Sequence, residues 1–266
     1  MASVTIIGAG RIGTALAERA RAAGVEGSLV TRTEGWEGLV GGAGPILVAT
    51  RNDGLADVVA RTPEARRADL VFLQNGAIRT RLADLGVPEA DRGLLYFLVA
   101  SRGGRVVGGQ TSVFTGRHAS TIVDWFTALG LAARAVEREA FGTWEWEKHV
   151  WIAAHGVLCP ALDATVGQVG IAHHDALFEL VAEWVALGEA EWGVSTPPGD
   201  LVDRLVVYSS EIPDYRPTLK AWDDRNGWVV GVAARHGLPA DVHLRFVEMA
   251  DASLAARARA QLSRGR

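Results

Sequence analysis

Val4-Thr5-Ile6-Ile7-Gly8-Ala9-Gly10-Arg11-Ile12-Gly13-Thr14-Ala15-Leu16-Ala17 is the stretch whose reading decides the fold. A β-branched apolar run meets a turn punctuated by glycine, and an Ala/Leu-rich helical pattern begins at once and continues to Ala23. In a strand–turn–helix of this kind each glycine has its own task. Gly8 permits the tight turn, Gly10 lets backbone approach a pyrophosphate, and Gly13 lets the helix lie close on the strand. The helix N-terminus, with its unpaired N–H groups and positive dipole end, favours the anion. The stretch therefore predicts a Rossmann dinucleotide site lined by Gly8, Gly10, Arg11, Ile12 and Gly13, with an ordinary glycine turn as the alternative.

The rest of the chain is compatible with that start. Its 266 residues allow one or two domains, and 48% apolar with 22% charged residues is the composition of a globular protein. A net charge of −4 gives no electrostatic reason for a nucleic-acid or anionic-membrane partner. The single cysteine, Cys159, leaves no internal disulfide framework and fits a reducing compartment. The first strand carries no basic or cleavable apolar leader, and no apolar run is long enough for a membrane span, so a cytoplasmic location is expected.

Further strands are predicted at Val25–Thr33, Gly44–Thr50, Asp69–Leu73 and Leu94–Val99, then at Val106-Val107, Ser112–Thr115 and Ala132–Val136. Helices are predicted at Leu55–Ala60 and Ala119–Leu129. Arg32 ends the second strand, where an NAD site carries an acid against the ribose. A guanidinium there suits a 2′-phosphate, hence NADP(H); a solvated surface arginine is the alternative. Ligands of an open parallel sheet bind beyond the carboxyl ends of its strands, so Thr50, Arg51, Gln74 and Asn75 should face the cofactor. Asn75-Gly76 is also a common plain turn. Arg102-Gly103-Gly104-Arg105 reads as a hairpin turn, and the arginines of 61–67 and 257–266 read as solvated faces.

Near residue 138 the composition changes to long helical patterns, predicting a Rossmann domain over 1–137 and an all-helical domain over 138–266. Helices are predicted at Thr143–Leu158, Asp175–Trp192, Asp200–Ser209, Gly227–His236 and His243–Leu262. On the first of these Lys148, Ile152 and His155 share an otherwise apolar face by their i, i+4, i+7 spacing. A lysine there could protonate a carbonyl oxygen as hydride arrives at carbon, although by spacing alone a helical lysine is a solvated one. His173-His174-Asp175 has metal-ligand residue types, but Asp175 suits a helix first turn, and no metal is expected.

Several motifs together resemble the ketopantoate reductase family of NADP-dependent 2-oxo acid reductases. Gly8-Ala9-Gly10-Arg11-Ile12-Gly13 is similar to its fingerprint and Gln74-Asn75-Gly76 to its second cofactor-side motif. Trp146-Glu147-Lys148 is similar to its Trp-x-Lys, Ser210 with Asp214 to its Ser-x-x-x-Asp, Arg216-Pro217-Thr218 to its Arg-x-Thr, and Asn226-Gly227 to its helix start. The resemblance implies a Rossmann domain followed by a helical one and a site in the cleft between them. It makes Lys148 the acid–base residue and has Asn75 orient cofactor and substrate, with Ser210, Thr218 and Asp223 holding the substrate; a homodimer is a further implication.

The departures concern substrate. Ile152 and Gly156 stand where the family has asparagines, and Arg51 where it commonly has lysine. The spacer Leu219-Lys220-Ala221-Trp222-Asp223-Asp224-Arg225 is longer than the family's and supplies its pocket glutamate in neither register. Lost amides argue against ketopantoate itself. His155 could supply a polar contact instead, and the tryptophans from Trp144 to Trp228 could line a site for a larger or aromatic carbonyl compound; packing is the plainer role for both. The expected activity is hydride transfer between NADPH and a small-molecule carbonyl. A related dehydrogenase acting on another hydroxy acid or an imine, or an NADP(H)-binding sensor with reduced chemistry, is the alternative.

Overall fold

The computed structural model describes residues 3–108 and 110–264. They form two compact units, Met1–Phe141 and Gly142–Arg266. The first is a doubly wound sheet built from β1 (Val4–Ile7), α1 (Arg11–Ala23), β2 (Gly27–Val30), β3 (Ile46–Val48), α2 (Leu55–Arg61), β4 (Leu70–Phe72) and α3 (Arg79–Asp84). It continues through β5 (Asp91–Leu94), β6 (Leu98–Val99), β7 (Val106–Val107), β8 (Ser112–Thr115), α4 (Ala119–Ala128) and β9 (Ala133–Ala135). Seven strands lie in the order β2-β1-β3-β4-β5-β8-β9, with β6 and β7 as a separate two-stranded ribbon. All pairs in the main sheet are parallel except β5 with β8.

Period-2 alternation sorts the side chains onto two faces. Val4, Ile6, Leu47, Val71 and Phe114 pack against α1 and α4 through Leu16, Ala20, Ile122, Trp125 and Phe126. Ile7, Ile46, Val48, Leu70 and Phe72 pack against α2 and α3 through Leu55, Val58, Val59 and Leu82. The chain crosses from one side of β1 to the other between β2 and β3, so the crevice of the strand-order reversal opens at Gly8 and Ala49.

Two expectations are corrected here. The strand predicted over Leu94–Val99 is two strands. β5 begins earlier, at Asp91, whose carboxylate accepts the backbone N–H groups of Arg117 and His118 at 2.8 and 2.7 Å, and β6 leaves the sheet to pair with β7. The arginines of 61–67 are not all solvated. Arg66 is buried, with Nε donating to Asp69 Oδ2 at 2.5 Å and its Nη atoms donating to the carbonyls of Leu39 and Gly44. Burial works to raise the Asp69 carboxyl, but Arg66, His118 and Arg117 outweigh it and hold the group below the usual carboxylate range.

In the second unit the helices are α5 (Arg138–Ala161, which starts within the first unit), α6 (Val166–Ile171), α7 (His174–Trp192), α8 (Pro198–Ser210), α9 (Asn226–His236), α10 (Asp241–Ala250) and α11 (Ala252–Arg264). Buried positions cover nearly the whole of α9, which makes it the central element of the unit. The single helix predicted over His243–Leu262 is corrected to two, separated at Asp251. Its Oδ1 accepts from the N–H groups of Ser253 and Leu254 at 2.9 and 3.1 Å, an N-cap inside an unbroken apolar pattern. α6 has no counterpart among the predicted helices, although Thr165 and Gln168 form a capping box at its start. No described helix is long and apolar enough to cross a membrane.

Candidate functional site

The glycine turn has the geometry a dinucleotide requires. Gly8 adopts φ +116°, and a Cβ there would lie 3.0 Å from the Ala49 backbone. A Cβ at Gly13 would lie 1.9 Å from Gly8 O, so α1 can rest on the turn only with glycine at that position. A Cβ at Gly10 would meet only Ala49 O, at 4.0 Å, which leaves backbone open to an approaching group. Gly10 caps α1 without a side-chain bond, and the first turn carries no acid. This combination fits a pyrophosphate at the helix N-terminus. Ile12 packs on the core below, and Arg11 is exposed, with Nη1 donating to Ala100 O at 3.2 Å.

Beyond β2, Arg32 is exposed, and among the described residues no ion pair is made by its side chain. Its carbonyl accepts from Arg61 Nη1 at 2.7 Å, and the Arg61 guanidinium lies 3.9 Å over the Trp36 ring, whose Nε1 donates to Thr31 O. Arg61 thus places a second cation beside Arg32, a role hidden in the sequence by its reading as a solvated face. Beyond β3, Thr50 is half-buried, while Arg51 is exposed and paired with Asp53 at 2.5 Å. Beyond β4 the two predicted cofactor residues separate. Gln74 is buried, its Nε2 donating to the carbonyls of Val48 and Thr50, so its amide ties β4 to the end of β3. Asn75 is half-buried, with its carbonyl held by Asn52 Nδ2 at 3.2 Å and Gly76 turning at φ +102°.

In the helical unit Lys148 is 4% exposed on α5. Its Nζ donates to Tyr208 Oη at 2.9 Å and lies 4.2 and 5.2 Å from the ring centroids of Tyr208 and Trp151. Burial, joined by the positive charge of Arg225 and opposed by Glu147, brings its pKa down to about 7. Burial raises the Tyr208 phenol, keeping it neutral. Next to this pair Trp151 Nε1 donates to Ser209 Oγ at 3.0 Å, and the Ser209 hydroxyl is within 3.2 Å of His155 Nε2 and 2.8 Å of Leu205 O.

Other predicted substrate residues are placed differently from expectation. His155 is fully buried; Nδ1 donates to Trp151 O at 2.9 Å and burial lowers its pKa to about 4. The polar contact expected from it therefore goes to the protein interior, to Ser209 and Trp151. Ile152 is buried core. Ser210 is exposed and bonded to Val207 O within its own helix; Ser209 and Tyr208 are the α8 residues that face α5. Thr218 is exposed. Asp223 is exposed and paired with Arg257 at 2.6 Å, so its carboxylate is directed to α11. At Gly156, where the resemblance would place an asparagine, a Cβ would lie in ordinary van der Waals contact, 3.7 Å from Asn226 Nδ2 and Thr218 O. Asn226 is itself buried, its Oδ1 against His243 Nε2 at 2.8 Å.

Tyr208, Ser209 and Arg225 were not singled out by sequence reasoning. The first two could have been found, because Leu201, Val202, Leu205, Tyr208 and Ser209 form one helical stripe from which Ser210 is excluded. Arg225 carries no such signal. Among the tryptophans, Trp146 and Trp184 are fully buried, and Trp146, Trp192 and Trp228 surround His149 at ring-centroid distances of 6.1, 5.7 and 4.7 Å. His173 and His174 open α7 with Asp175 in its first turn, and Cys159 is buried with its thiol pushed up to about 12.

No family model matches the chain, and no curated protein matches it by sequence. Solved structures do match it. The ternary complex of D-mandelate dehydrogenase with NADH and anilino(oxo)acetate aligns with a TM-score of 0.74 at 15% identity, covering 97% of this chain and 99% of that one. A PanE/ApbA family ketopantoate reductase from Ralstonia eutropha JMP134 aligns with a TM-score of 0.71 at 18% identity, covering 99% of both. A dimeric ketopantoate reductase from Staphylococcus aureus aligns with a TM-score of 0.70 at 14% identity, covering 99% of this chain and all of that one. The chain therefore has the fold of the ketopantoate reductases and of D-mandelate dehydrogenase.

Proposed function

We propose that this protein is an NADPH-dependent oxidoreductase that reduces a 2-oxo acid or related ketone, with Lys148 as the proton donor. The observation that carries this is the state of Lys148, an amine buried against Tyr208 whose pKa of about 7 lets it give up and regain a proton near neutrality. Its setting supports the reading: a turn built for pyrophosphate in the first unit, and a fold shared with enzymes of this class.

The reduced nicotinamide, when bound, supplies the hydride. The backbone around Gly8, Gly10 and Gly13 holds the pyrophosphate, and Arg32 takes the 2′-phosphate that distinguishes NADPH from NADH. Asn75 orients polar groups of cofactor and substrate. Lys148 delivers its proton to the carbonyl oxygen. Tyr208 serves both states of the lysine, since its oxygen accepts from the ammonium and its hydroxyl donates to the amine. A homodimer is proposed on the strength of the dimeric relative.

The test is NADPH oxidation by the purified protein over a panel of 2-oxo acids and ketones, aromatic ones included. At least one member should be turned over. NADPH binding without turnover of any member would leave a cofactor-binding sensor in place of an enzyme.

A further inference from the structure

The Arg32 side chain is exposed, but the turn that carries it is tied down. Thr31 is the tie point. Its N–H donates to Glu34 O at 3.0 Å, and its hydroxyl accepts the N–H groups of Thr33 and Glu34 at 3.3 and 3.1 Å. Its carbonyl accepts from Trp36 Nε1 at 2.8 Å, which brings the indole back to the end of β2. Gly35 permits that return: it adopts φ +87°, and a Cβ there would lie 3.3 Å from Leu29 O and Val30 Cα. The end of β2 is in turn registered to the glycine turn, because the Gly8 N–H donates to Val30 O at 2.9 Å.

The next carbonyl, that of Arg32, is held from another element. Arg61 ends α2, and its Nη1 donates to Arg32 O at 2.7 Å. Two further contacts fix the Arg61 guanidinium. It lies 3.9 Å from the Trp36 ring centroid, and Nη1 is 3.6 Å from Asp57 Oδ2, one turn earlier on α2. A guanidinium over an indole face is attracted by the ring quadrupole while its N–H edge stays able to donate. Trp36 and Arg61 therefore brace each other and close the turn at two successive carbonyls, those of Thr31 and Arg32. A long side chain on a loose turn loses freedom when it binds an anion, and fixing the backbone beneath it beforehand removes part of that cost.

We infer that Arg61 is a positioning residue for cofactor choice: stacked on Trp36 and bonded to the Arg32 carbonyl, it holds the turn of residues 31–36 so that Arg32 meets the 2′-phosphate of NADPH. Arg61 acts through Arg32. This rests on the NADPH reading of Arg32 but does not depend on turnover.

The test is a double-mutant cycle on the full chain, with dissociation constants for NADPH and NADH measured by fluorescence titration. Arg61→Met keeps the apolar stem and removes the donor and the charge. It should weaken NADPH binding by about three- to tenfold, the scale of one lost hydrogen bond, and move NADH by less than about twofold. Arg61→Lys, which can still donate to the Arg32 carbonyl beside the indole, should recover part of the loss. In an Arg32→Gln background Arg61→Met should change NADPH affinity by less than about twofold, because no guanidinium is left to position. Equal weakening of NADPH and NADH overturns the assignment by making Arg61 a general support of the unit. A full-sized loss in the Arg32→Gln background overturns it by making Arg61 an independent contact. Equal wild-type affinities for the two cofactors overturn the NADPH reading and the positioning role together, whereas a wild-type preference for NADPH that Arg61→Met leaves unmoved overturns the positioning role alone.

Discussion

At the scale of the residue, Lys148 has a pH signature that can be worked out in sign. Its folded value of about 7 lies below the ordinary 10.5, so between these limits the unfolded chain binds a proton that the folded one does not. Stability from this group therefore rises with pH across that window, and the cost of the buried charge is felt in full below it. Lys148→Met should make the protein more stable at about pH 6 and change it little at about pH 10, as read by urea unfolding at both. Activity has the opposite sense: carbonyl reduction needs the ammonium and should fall as pH rises through about 7. Tyr208→Phe keeps the ring but removes the oxygen that accepts from the ammonium. It should move the alkaline limb of kcat about one pH unit lower and reduce kcat near neutrality about tenfold with KM little changed. An unmoved limb would reduce Tyr208 to packing. Lys148 itself was legible as a member of an apolar face. Its partners were not, because hydrogen bonding between α5 and α8 depends on a tertiary register that no local spacing encodes.

At the scale of the element, the glycine turn and α1 are the most constrained feature of the first unit. Gly13→Ala places a methyl 1.9 Å from Gly8 O, so α1 must lift from the turn. A loss of about 1–3 kcal/mol in stability and a weaker NADPH affinity are expected, the first by denaturant unfolding and the second by fluorescence titration. The cap at Asp251 makes a cleaner case. Asp251→Ala should lower the midpoint of denaturant unfolding while leaving cofactor binding intact, since it removes only the bonds to the start of α11. That cap was present in the sequence as an Asp two residues before Ser253, but the apolar period runs on across it and masked the break. By contrast the strand–turn–helix of β1 and α1 could be read directly, because the glycines are required by backbone sterics rather than by distant neighbours. Arg66 illustrates the opposite limit: its carbonyl partners at Leu39 and Gly44 come from a loop whose path has no sequence signal.

For the molecule as a whole, the sequence separates a strand-rich first half from a helical second half, and both units have that character. What it could not supply is the surroundings of Gly156 and the path of the loop of residues 219–225. Asn226 Nδ2 and Thr218 O lie 3.7 Å from where a Gly156 Cβ would be, and the loop of residues 219–225 passes through a left-handed Ala221 at φ +50° before it reaches α9. Those are consequences of packing in three dimensions. Cofactor choice belongs to this scale too, because it sets which cellular pool drives the reaction. Arg32→Glu should reverse or abolish a preference for NADPH over NADH, measured as the ratio of dissociation constants; equal wild-type affinities would remove the Arg32 argument. The central claim, that Lys148 is the proton donor of a carbonyl reductase, is tested most directly by comparing Lys148→Ala with wild type in single-turnover NADPH oxidation alongside NADPH titration. The account predicts oxidation reduced by a factor of about a hundred or more with cofactor affinity nearly unchanged, and a Lys148→Ala protein that oxidises NADPH at the wild-type rate would contradict it.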